Sequence, residues 1–206
     1  MKLLYQDAQI VLCVKPAGVL SEEGGMPELL RAQTGAAQIY CVHRLDRAVG
    51  GLMVYAKTKD AAASLSQQIA EGRFEKRYLA VCRGDAPERG EMRDLLYHDA
   101  KTNKSYVVKR MRKGVRDAVL RCETLERQNG LCLVRVELLT GRSHQIRVQF
   151  ASRQLPLSGD RRYGGGEGEI ALWSSELRFL HPASGEKLLF CAATPQKEPW
   201  TGFTTI

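Results

Sequence analysis

The chain has 206 residues, 44% of them hydrophobic, so it is long enough to bury a substantial core. Lys and Arg number 31 against 23 Asp and Glu, and the formal net charge of +8 favours a polyanionic partner. A basic surface that only keeps the protein soluble explains the charge equally well. No apolar run approaches the roughly 18 residues that a membrane span requires, which excludes such a span.

The N-terminal part of the chain alternates apolar runs with turn residues. A long helix is predicted at 59–72, with Thr58 as its N-cap and Gly72 as its end. Leu65 and Ile69 lie four residues apart and share one face of this helix. The remaining elements predicted here are strands at 9–15 and 51–57, a turn at 16–18 and a short helix at 27–33.

The C-terminal part reads as successive strands with few helices. Asn129-Gly130 separates two of them and predicts a hairpin, because both residues tolerate positive φ. This order predicts an α+β fold with a mixed, largely antiparallel central sheet and flanking helices. The strands are predicted at 75–84, 105–110, 118–126, 131–139, 172–180 and 187–194.

Residues 101–116 form a basic run with seven Lys or Arg residues and no acidic one. The run overlaps alternating strand residues, so it predicts a basic hairpin edge. Such an edge would contact RNA, although edge strands also carry Lys simply to block aggregation.

The six cysteines include no CxxC pair, and most lie in apolar runs. This spacing argues against a zinc site built on paired cysteines. Since no signal peptide is visible, reduced thiols in the cytoplasm are expected.

The segment HRLDR places one carboxylate, Asp46, among His43, Arg44 and Arg47. An Asp beside Arg is most often a structural ion pair. Two glycines follow, however, and they allow a backbone or a ligand to approach closely. An ionised Asp in a water-excluding site is also what nucleophilic catalysis requires. His43 itself is expected to be packed and hydrogen-bonded rather than catalytic.

A second segment, 138–154, contains Arg142 and Arg147 next to apolar residues, where each arginine needs an anion. Its secondary structure stays open. Ser143 could cap a helix, whereas Ile146, Val148 and Phe150 alternate as in a strand.

Together these segments resemble the RluA-type pseudouridine synthases. HRLDR followed by GGLMVYAKT is similar to that family's catalytic signature, and GRSHQIRV is similar to its second signature. Further segments resemble the family in the family's order: KPAG at 15–18, KRYLAV at 76–81, LPLSGDRRYGG at 155–165 and ELRFLHPASGE at 176–186.

The resemblance implies an enzyme that isomerises uridine in ribosomal or transfer RNA to pseudouridine, without cofactor or metal. It implies an active-site cleft on the sheet. We expect residues 1–206 to form a single catalytic domain without a separate N-terminal RNA-binding domain. A cytoplasmic monomer with no membrane partner is expected.

By the same resemblance, the nucleophile falls on Asp46, the active-site tyrosine on Tyr78 and the carboxylate-pairing arginine on Arg147. Asp46 could attack the anomeric carbon, attack carbon 6 of the ring or remove a ribose proton. Val49-Gly50-Gly51 replaces the usual Thr-Ser-Gly, and Gln149 replaces a usual His. These departures put hydrogen bonds around the acid and the local loop geometry in doubt.

Five basic residues are candidate RNA contacts: Arg44, Arg47, Lys109, Arg110 and Arg142. For Arg44 and Arg47, simple salt bridging near Asp46 is the alternative. Two other functions stay open. An N-glycosidase would use the same acid to release a free base, and a non-catalytic RNA-binding module would use none of this chemistry.

Overall fold

The computed structural model describes residues 1–205, which form two compact units. Unit 1 comprises Met1–Lys76 and Trp173–Ala193, and unit 2 comprises Arg77–Leu172 and the chain from Thr194 onward. The helices are α1 (Met26–Thr34), α2 (Lys59–Ala70) and α3 (Gln145–Ala151). The strands are β1 (Leu3–Gln6), β2 (Ile10–Lys15), β3 (Tyr40–Cys41), β4 (Gly50–Ala56), β5 (Glu75–Arg83), β6 (Arg89–Asp99), β7 (Lys104–Val108), β8 (Val115–Gln128), β9 (Leu131–Leu138), β10 (Leu172–Leu180) and β11 (Lys187–Cys191).

Unit 1 is built around β4, whose seven residues are all buried. On one side β4 pairs antiparallel with β2, which in turn pairs with β1. It also pairs antiparallel with β3 and parallel with β10, and β10 pairs with β11. Helix α2 packs on this sheet through the fully buried Leu65 and the half-buried Ile69. The predicted cap is confirmed, since Thr58 Oγ1 accepts a hydrogen bond from the Ala61 N–H at 3.2 Å.

Unit 2 is an antiparallel sheet in the order β5-β9-β8-β6-β7. The predicted hairpin is confirmed, because Asn129 and Gly130 join β8 to β9 with φ of 52° and 74°. Helix α3 contributes Val148 to a small apolar cluster with Leu96 and Ala118. The α+β class with largely antiparallel pairing, predicted from the sequence, is therefore confirmed.

The structure settles the secondary structure of the segment that the sequence left open. Residues Gln145–Ala151 form a helix, not a strand. Six consecutive residues from Gln145 to Phe150 are buried. The alternation of apolar residues therefore could not distinguish a strand from a buried helix. Capping by Ser143 is wrong, because the N-cap residue is His144, which has φ of 55° and makes no capping hydrogen bond through its side chain.

Three strands were not predicted: β1, β3 and β6. The sequence RGEMRDLLYHD of β6 has polar residues on both faces, and only Met92 and Leu96 are fully buried. The basic run coincides with the end of the unit 2 sheet, where β7 pairs with β6, and with the loop that leads into β8. The prediction of a basic hairpin edge is therefore confirmed.

Two further properties follow from the same description. The helices within residues 1–205 have 9, 12 and 7 residues, so none of these could cross a membrane. All six cysteines lie in this part of the chain as free thiols, and four of them are buried.

The two glycines at the start of β4 allow β10 to approach closely. Gly51 has φ of +119°, and a Cβ placed on it would lie 2.4 Å from the Ser174 carbonyl oxygen. A Cβ on Gly50 would lie 2.5 Å from the ring of Trp173. The sequence suggested a close backbone approach at these glycines, and β10 makes it.

We therefore expect Gly51→Ala to destabilise the fold strongly. Overpacking against the backbone costs about 1–3 kcal/mol, and this adds to the strain of the positive φ. The control is Gly72→Ala, which has a positive φ but no atom within 4 Å of the added Cβ. Urea unfolding of both variants measures the difference. Equal losses of stability would show that the approach of β10 imposes no steric cost.

Candidate active site

Asp46 lies in the loop between β3 and β4 and is half-buried. The Val49 N–H donates to the Asp46 carbonyl at 2.9 Å and closes a turn around the acid. Gly18 and Arg47 exchange two hydrogen bonds at 2.8 Å, one from the Gly18 N–H to the Arg47 carbonyl and one from Arg47 Nε to the Gly18 carbonyl. The turn at 16–18 therefore braces the backbone next to Asp46.

Lys15, which is fully buried, strengthens this brace. Its Nζ donates to the carbonyls of Pro16, Val19 and Arg47 at 2.9, 2.7 and 3.2 Å. Burial lowers the pKa of Lys15 to about 8, and the negative charge of Asp46 opposes this shift. A positive charge is thus held beside the candidate nucleophile, and sequence reasoning did not identify it.

Ser21 holds the residue before the acid. Its Oγ donates to the Leu45 carbonyl at 2.8 Å and accepts from the Leu45 N–H at 3.0 Å. The Tyr55 hydroxyl donates to the Ser21 carbonyl at 2.8 Å and fixes the serine in turn. A side chain 24 positions away in sequence therefore replaces the strand pairing that this loop lacks.

His43 anchors the other end of the HRLDR segment to β4. Its Nε2 accepts a hydrogen bond from the Val54 N–H at 3.2 Å, so the ring proton of the neutral imidazole is on Nδ1. The ring packs against Phe74 with centroids 5.4 Å apart. Burial lowers the pKa of His43 to about 3, with the charge of Lys76 adding to the shift. The packed, hydrogen-bonded role expected from the sequence is confirmed.

The departures at 49–51 have a structural counterpart. Val49 is 2% exposed and packs into the interior, where the usual threonine would place a hydroxyl. The space that a side chain at Gly50 would need is occupied by the ring of Trp173, whose Nε1 donates to the Ala192 carbonyl at 3.3 Å. Backbone bonds, Lys15 and Ser21 hold this loop without the two missing hydroxyls.

In unit 2, helix α3 carries Arg147, which is 7% exposed. Its Nε and Nη2 donate to the two carboxylate oxygens of Asp160, both at 2.8 Å. Asp160 is only 2% exposed, so this is a buried, bidentate ion pair. The sequence required an anion for Arg147 but did not identify Asp160. The signal available was the acid in SGDRRYGG, a segment that resembled the family.

Tyr163 completes this cluster and was also missed. Its ring lies 5.1 Å from the Arg147 guanidinium, within reach of a cation–π contact. Its hydroxyl accepts from the Ser105 N–H at 2.8 Å and lies 3.0 Å from His144 Nδ1. Burial raises the pKa of Tyr163, so the hydroxyl stays protonated. The cluster thereby joins three parts of unit 2: helix α3, the segment from Asp160 to Tyr163, and β7.

Two glutamines fix α3 and the loop before it. Gln149, fully buried, donates through Nε2 to Asp94 Oδ2 at 2.7 Å and to the Met92 carbonyl at 3.2 Å. It therefore anchors α3 to β6, in place of the histidine usual in the family. Gln145 accepts through Oε1 from the Thr140 hydroxyl at 2.8 Å and from the Arg142 N–H at 3.0 Å.

The other predicted site residues lie on strand β5 or in exposed loops. Tyr78 is 4% exposed on β5, opposite Val136 of β9. Arg44 is exposed and pairs with Glu22 at 3.0 Å. Lys109 and Arg110 are exposed in the loop after β7.

The structure brings Asp46 together with Lys15 and Ser21 in unit 1. It brings Arg147 together with Asp160 and Tyr163 in unit 2. The pairing of Asp46 with Arg147 stays a prediction.

Comparison with known proteins identifies the family. The family described as RNA pseudouridylate synthase matches residues 9–152, which include both signature segments. The chain belongs to this family. The match also includes Lys15, Ser21 and Arg147, but it ends before Asp160.

Similar proteins agree with this assignment. The ribosomal large subunit pseudouridine synthase D of Xanthomonas campestris pv. campestris is 32% identical over 95% of this chain and 66% of its own length. The tRNA pseudouridine synthase C of Vibrio parahaemolyticus is 28% identical over 94% of this chain and 90% of its own length. The chain thus spans less than two thirds of the first relative.

The fold also matches a solved structure. Human RNA Pseudouridylate Synthase Domain Containing 4 has a TM-score of 0.79 and covers 95% of this chain and 89% of its own. At 22% identity this likeness concerns the fold alone.

We expect Asp160→Asn to destabilise the protein by about 3–5 kcal/mol, because it leaves the buried Arg147 without a counter-charge. The control is Glu167→Gln, which breaks an exposed pair with Arg161 and should cost no more than about 1 kcal/mol. Urea unfolding at neutral pH compares the two. A similar small loss in both variants would contradict the importance of the buried pair.

We expect His43 to make stability fall as the pH decreases. Its pKa of about 3 in the folded protein lies below the unfolded value of about 6.5. Between these values the unfolded chain binds a proton that the folded protein excludes, so stability is lost by up to about 1.4 kcal/mol per pH unit on acidification.

The variant His43→Gln keeps an acceptor for the Val54 N–H and removes the titration. Its unfolding free energy should depend less steeply on pH than that of the wild type between about pH 4 and pH 6.5. His98→Gln, which removes a half-buried imidazole, is the control. Parallel curves for the wild type and His43→Gln would refute a neutral buried His43.

Proposed function

We propose that this protein isomerises specific uridines in structured RNA to pseudouridine, with Asp46 as the nucleophile. The observation that carries the proposal is a half-buried carboxylate in the family's HRLDR signature, in a loop braced by Lys15, Ser21 and backbone hydrogen bonds. Catalysis depends on holding the reacting group in one geometry, and this bracing supplies that.

The reaction breaks the bond from uracil nitrogen 1 to the ribose, turns the base, and joins carbon 5 to the same sugar carbon. The elements of the substrate are all retained, so no cofactor has to add or remove atoms. Asp46 acts as a carboxylate on the anomeric carbon, on carbon 6 of the ring or on a ribose proton. The detached base must stay in the site until it has turned, which requires a closed and dry pocket.

Arg147 is proposed as the partner of the Asp46 carboxylate. A guanidinium has five N–H donors in a planar fork. Asp160 accepts from Nε and Nη2 and fixes the plane of the group. Tyr78 packs on the uracil and assists removal of the carbon 5 proton.

RNA recognition is assigned to the exposed basic residues of the chain: Arg44, Arg47, Lys109, Arg110 and Arg142. Phosphate contacts of this kind dominate the affinity of RNA-binding proteins. The target uridine must be unstacked, at a cost of a few kcal/mol, or taken from a loop. Residues 1–206 act as one catalytic domain and as a monomer in the cytoplasm under this proposal.

The substrate class is ribosomal RNA, transfer RNA or both. Relatives named for large-subunit ribosomal RNA and a relative named for tRNA match this chain at similar identity. The altered 49–51 segment is the feature that favours a non-catalytic RNA-binding module instead. The bracing around Asp46 favours the enzyme, because a binding module would not require an immobilised acid.

The test is pseudouridine formation by purified protein on total RNA from cells that lack the gene. Wild type should produce pseudouridine at defined positions, and Asp46→Asn should lower the single-turnover rate by on the order of 10⁴-fold or more. Asp60→Asn, at an exposed position on α2, is the matched control and should remain active.

Product analysis separates the alternatives. Release of free uracil without pseudouridine would indicate an N-glycosidase. RNA binding without either product in the wild type would indicate a binding module. Substantial turnover by Asp46→Asn, verified as not deamidated, would refute the nucleophile assignment.

A further inference from the structure

Unit 2 contains a small cleft that the proposed chemistry does not use. It has a volume of about 190 Å³ and opens between β6, β7, the start of β8 and the loop before α3. The residues that line it are Leu96, His98, Ser105, Gly114, Arg116, Gly141, Arg142 and Ser143.

Two arginines at this cleft lack acidic partners. Arg116 and Arg142 are exposed, and neither forms a salt bridge with a carboxylate in residues 1–205. Arg121, further along β8, differs because it pairs with Glu91 at 3.3 Å. Arg142 Nε donates to the Asp117 carbonyl at 2.8 Å, which orients the guanidinium and leaves its two amino groups for a ligand.

The nearby acid does not neutralise this pair. Asp117 follows Arg116 directly on β8, and successive side chains of a strand point to opposite faces of the sheet. The loop before Arg116 contains Lys109, Arg110, Arg112 and Lys113, all exposed. The cleft therefore lies in a region of positive potential that favours an anion.

Hydrogen bonds between Ser105, Ser143 and His98 order one wall of the cleft. Ser105, which is 1% exposed, donates through Oγ to the Ser143 carbonyl at 2.6 Å. Its only hydroxyl proton is used in this bond, so Oγ accepts from His98 Nδ1 at 3.1 Å. This chain of contacts fixes the walls of the cleft before any ligand binds.

The volume restricts the ligand. Small-molecule sites begin at about 300 Å³, so the cleft is smaller than a typical site for a whole nucleotide. A single phosphate group fits this space, and guanidinium groups bind phosphate oxygens in a bidentate manner.

We propose that this cleft binds one backbone phosphate of the RNA substrate, shared by Arg116 and Arg142. The inference rests on the proposed function for the identity of the ligand, and it adds a defined anchoring point to the general basic surface. Such an anchor sets the register of the RNA on unit 2, because a phosphate contact positions the strand without reading its sequence.

The test measures the affinity for a fluorescent oligouridylate between about 50 and 200 mM salt. Arg116→Ala and Arg142→Ala should each weaken binding several-fold. One lost phosphate contact lowers the slope of log K against log salt by about 0.7 for a single strand. Because both arginines hold the same phosphate, the slope of the double variant should decrease by only about 0.7. Arg121→Ala is the matched control and should change neither quantity.

Each other outcome has a defined meaning. Unchanged affinity and slope in the double variant would overturn the proposal. A loss of about 1.4 in slope for the double variant would show two independent phosphate contacts and would overturn the shared site. Arg116→Ala decides the question alone if Arg142→Ala fails to fold, since no described side chain binds the Arg116 guanidinium.

A second readout distinguishes RNA from free anion. The ring resonances of His98, one of four histidines, should shift when oligouridylate is added and not in the double variant. A shift with inorganic phosphate but none with oligouridylate would identify a free-anion site and overturn the assignment to RNA.

These binding measurements need no turnover. An inactive wild type with the expected slopes would refute the proposed function alone, whereas normal turnover with unchanged slopes would refute the cleft alone.

Discussion

A buried guanidinium has to be paired, and the Arg147–Asp160 ion pair meets this requirement in unit 2. The pair determines how α3 lies against the 3₁₀ turn that begins at Arg161. Tyr163, which ends this turn, covers the guanidinium with its ring. Its hydroxyl accepts a hydrogen bond from the Ser105 N–H of β7 and contacts His144 Nδ1. One charge thus organises a helix, a turn and an edge strand.

The same rule acts in unit 1 through a different residue. Lys15 is buried at the end of β2, and its ammonium is satisfied by three backbone carbonyls rather than by a carboxylate. The Lys15 ammonium binds carbonyls from two segments, Pro16–Val19 and the loop of Asp46, and therefore connects the turn at 16–18 to that loop. Ser21 acts likewise on Leu45. These residues order the backbone on both sides of Asp46.

The sequence predicted those features that depend on local signals. Thr58 and Gly72 mark the ends of the α2 region, and Asn129-Gly130 marks a hairpin, because each acts on its own backbone. Strand β6 was missed because its sequence does not alternate between apolar and polar residues. Its pairing with β8 makes it a strand. Within the candidate site, motifs singled out Asp46 and Arg147. The contacts of Asp160, Tyr163, Lys15 and Ser21 join distant positions, and only the fold brings these together.

The contact between Gly50 and Trp173 makes the effect of one substitution depend on another. A serine at position 50 would place its Cβ 2.5 Å from the indole, so it requires a smaller residue at 173 first. The Lys15 carbonyl, 3.2 Å from that Cβ, would then have to give by only a few tenths of an ångström. A serine at position 50 and a tryptophan at position 173 are therefore mutually exclusive in this fold.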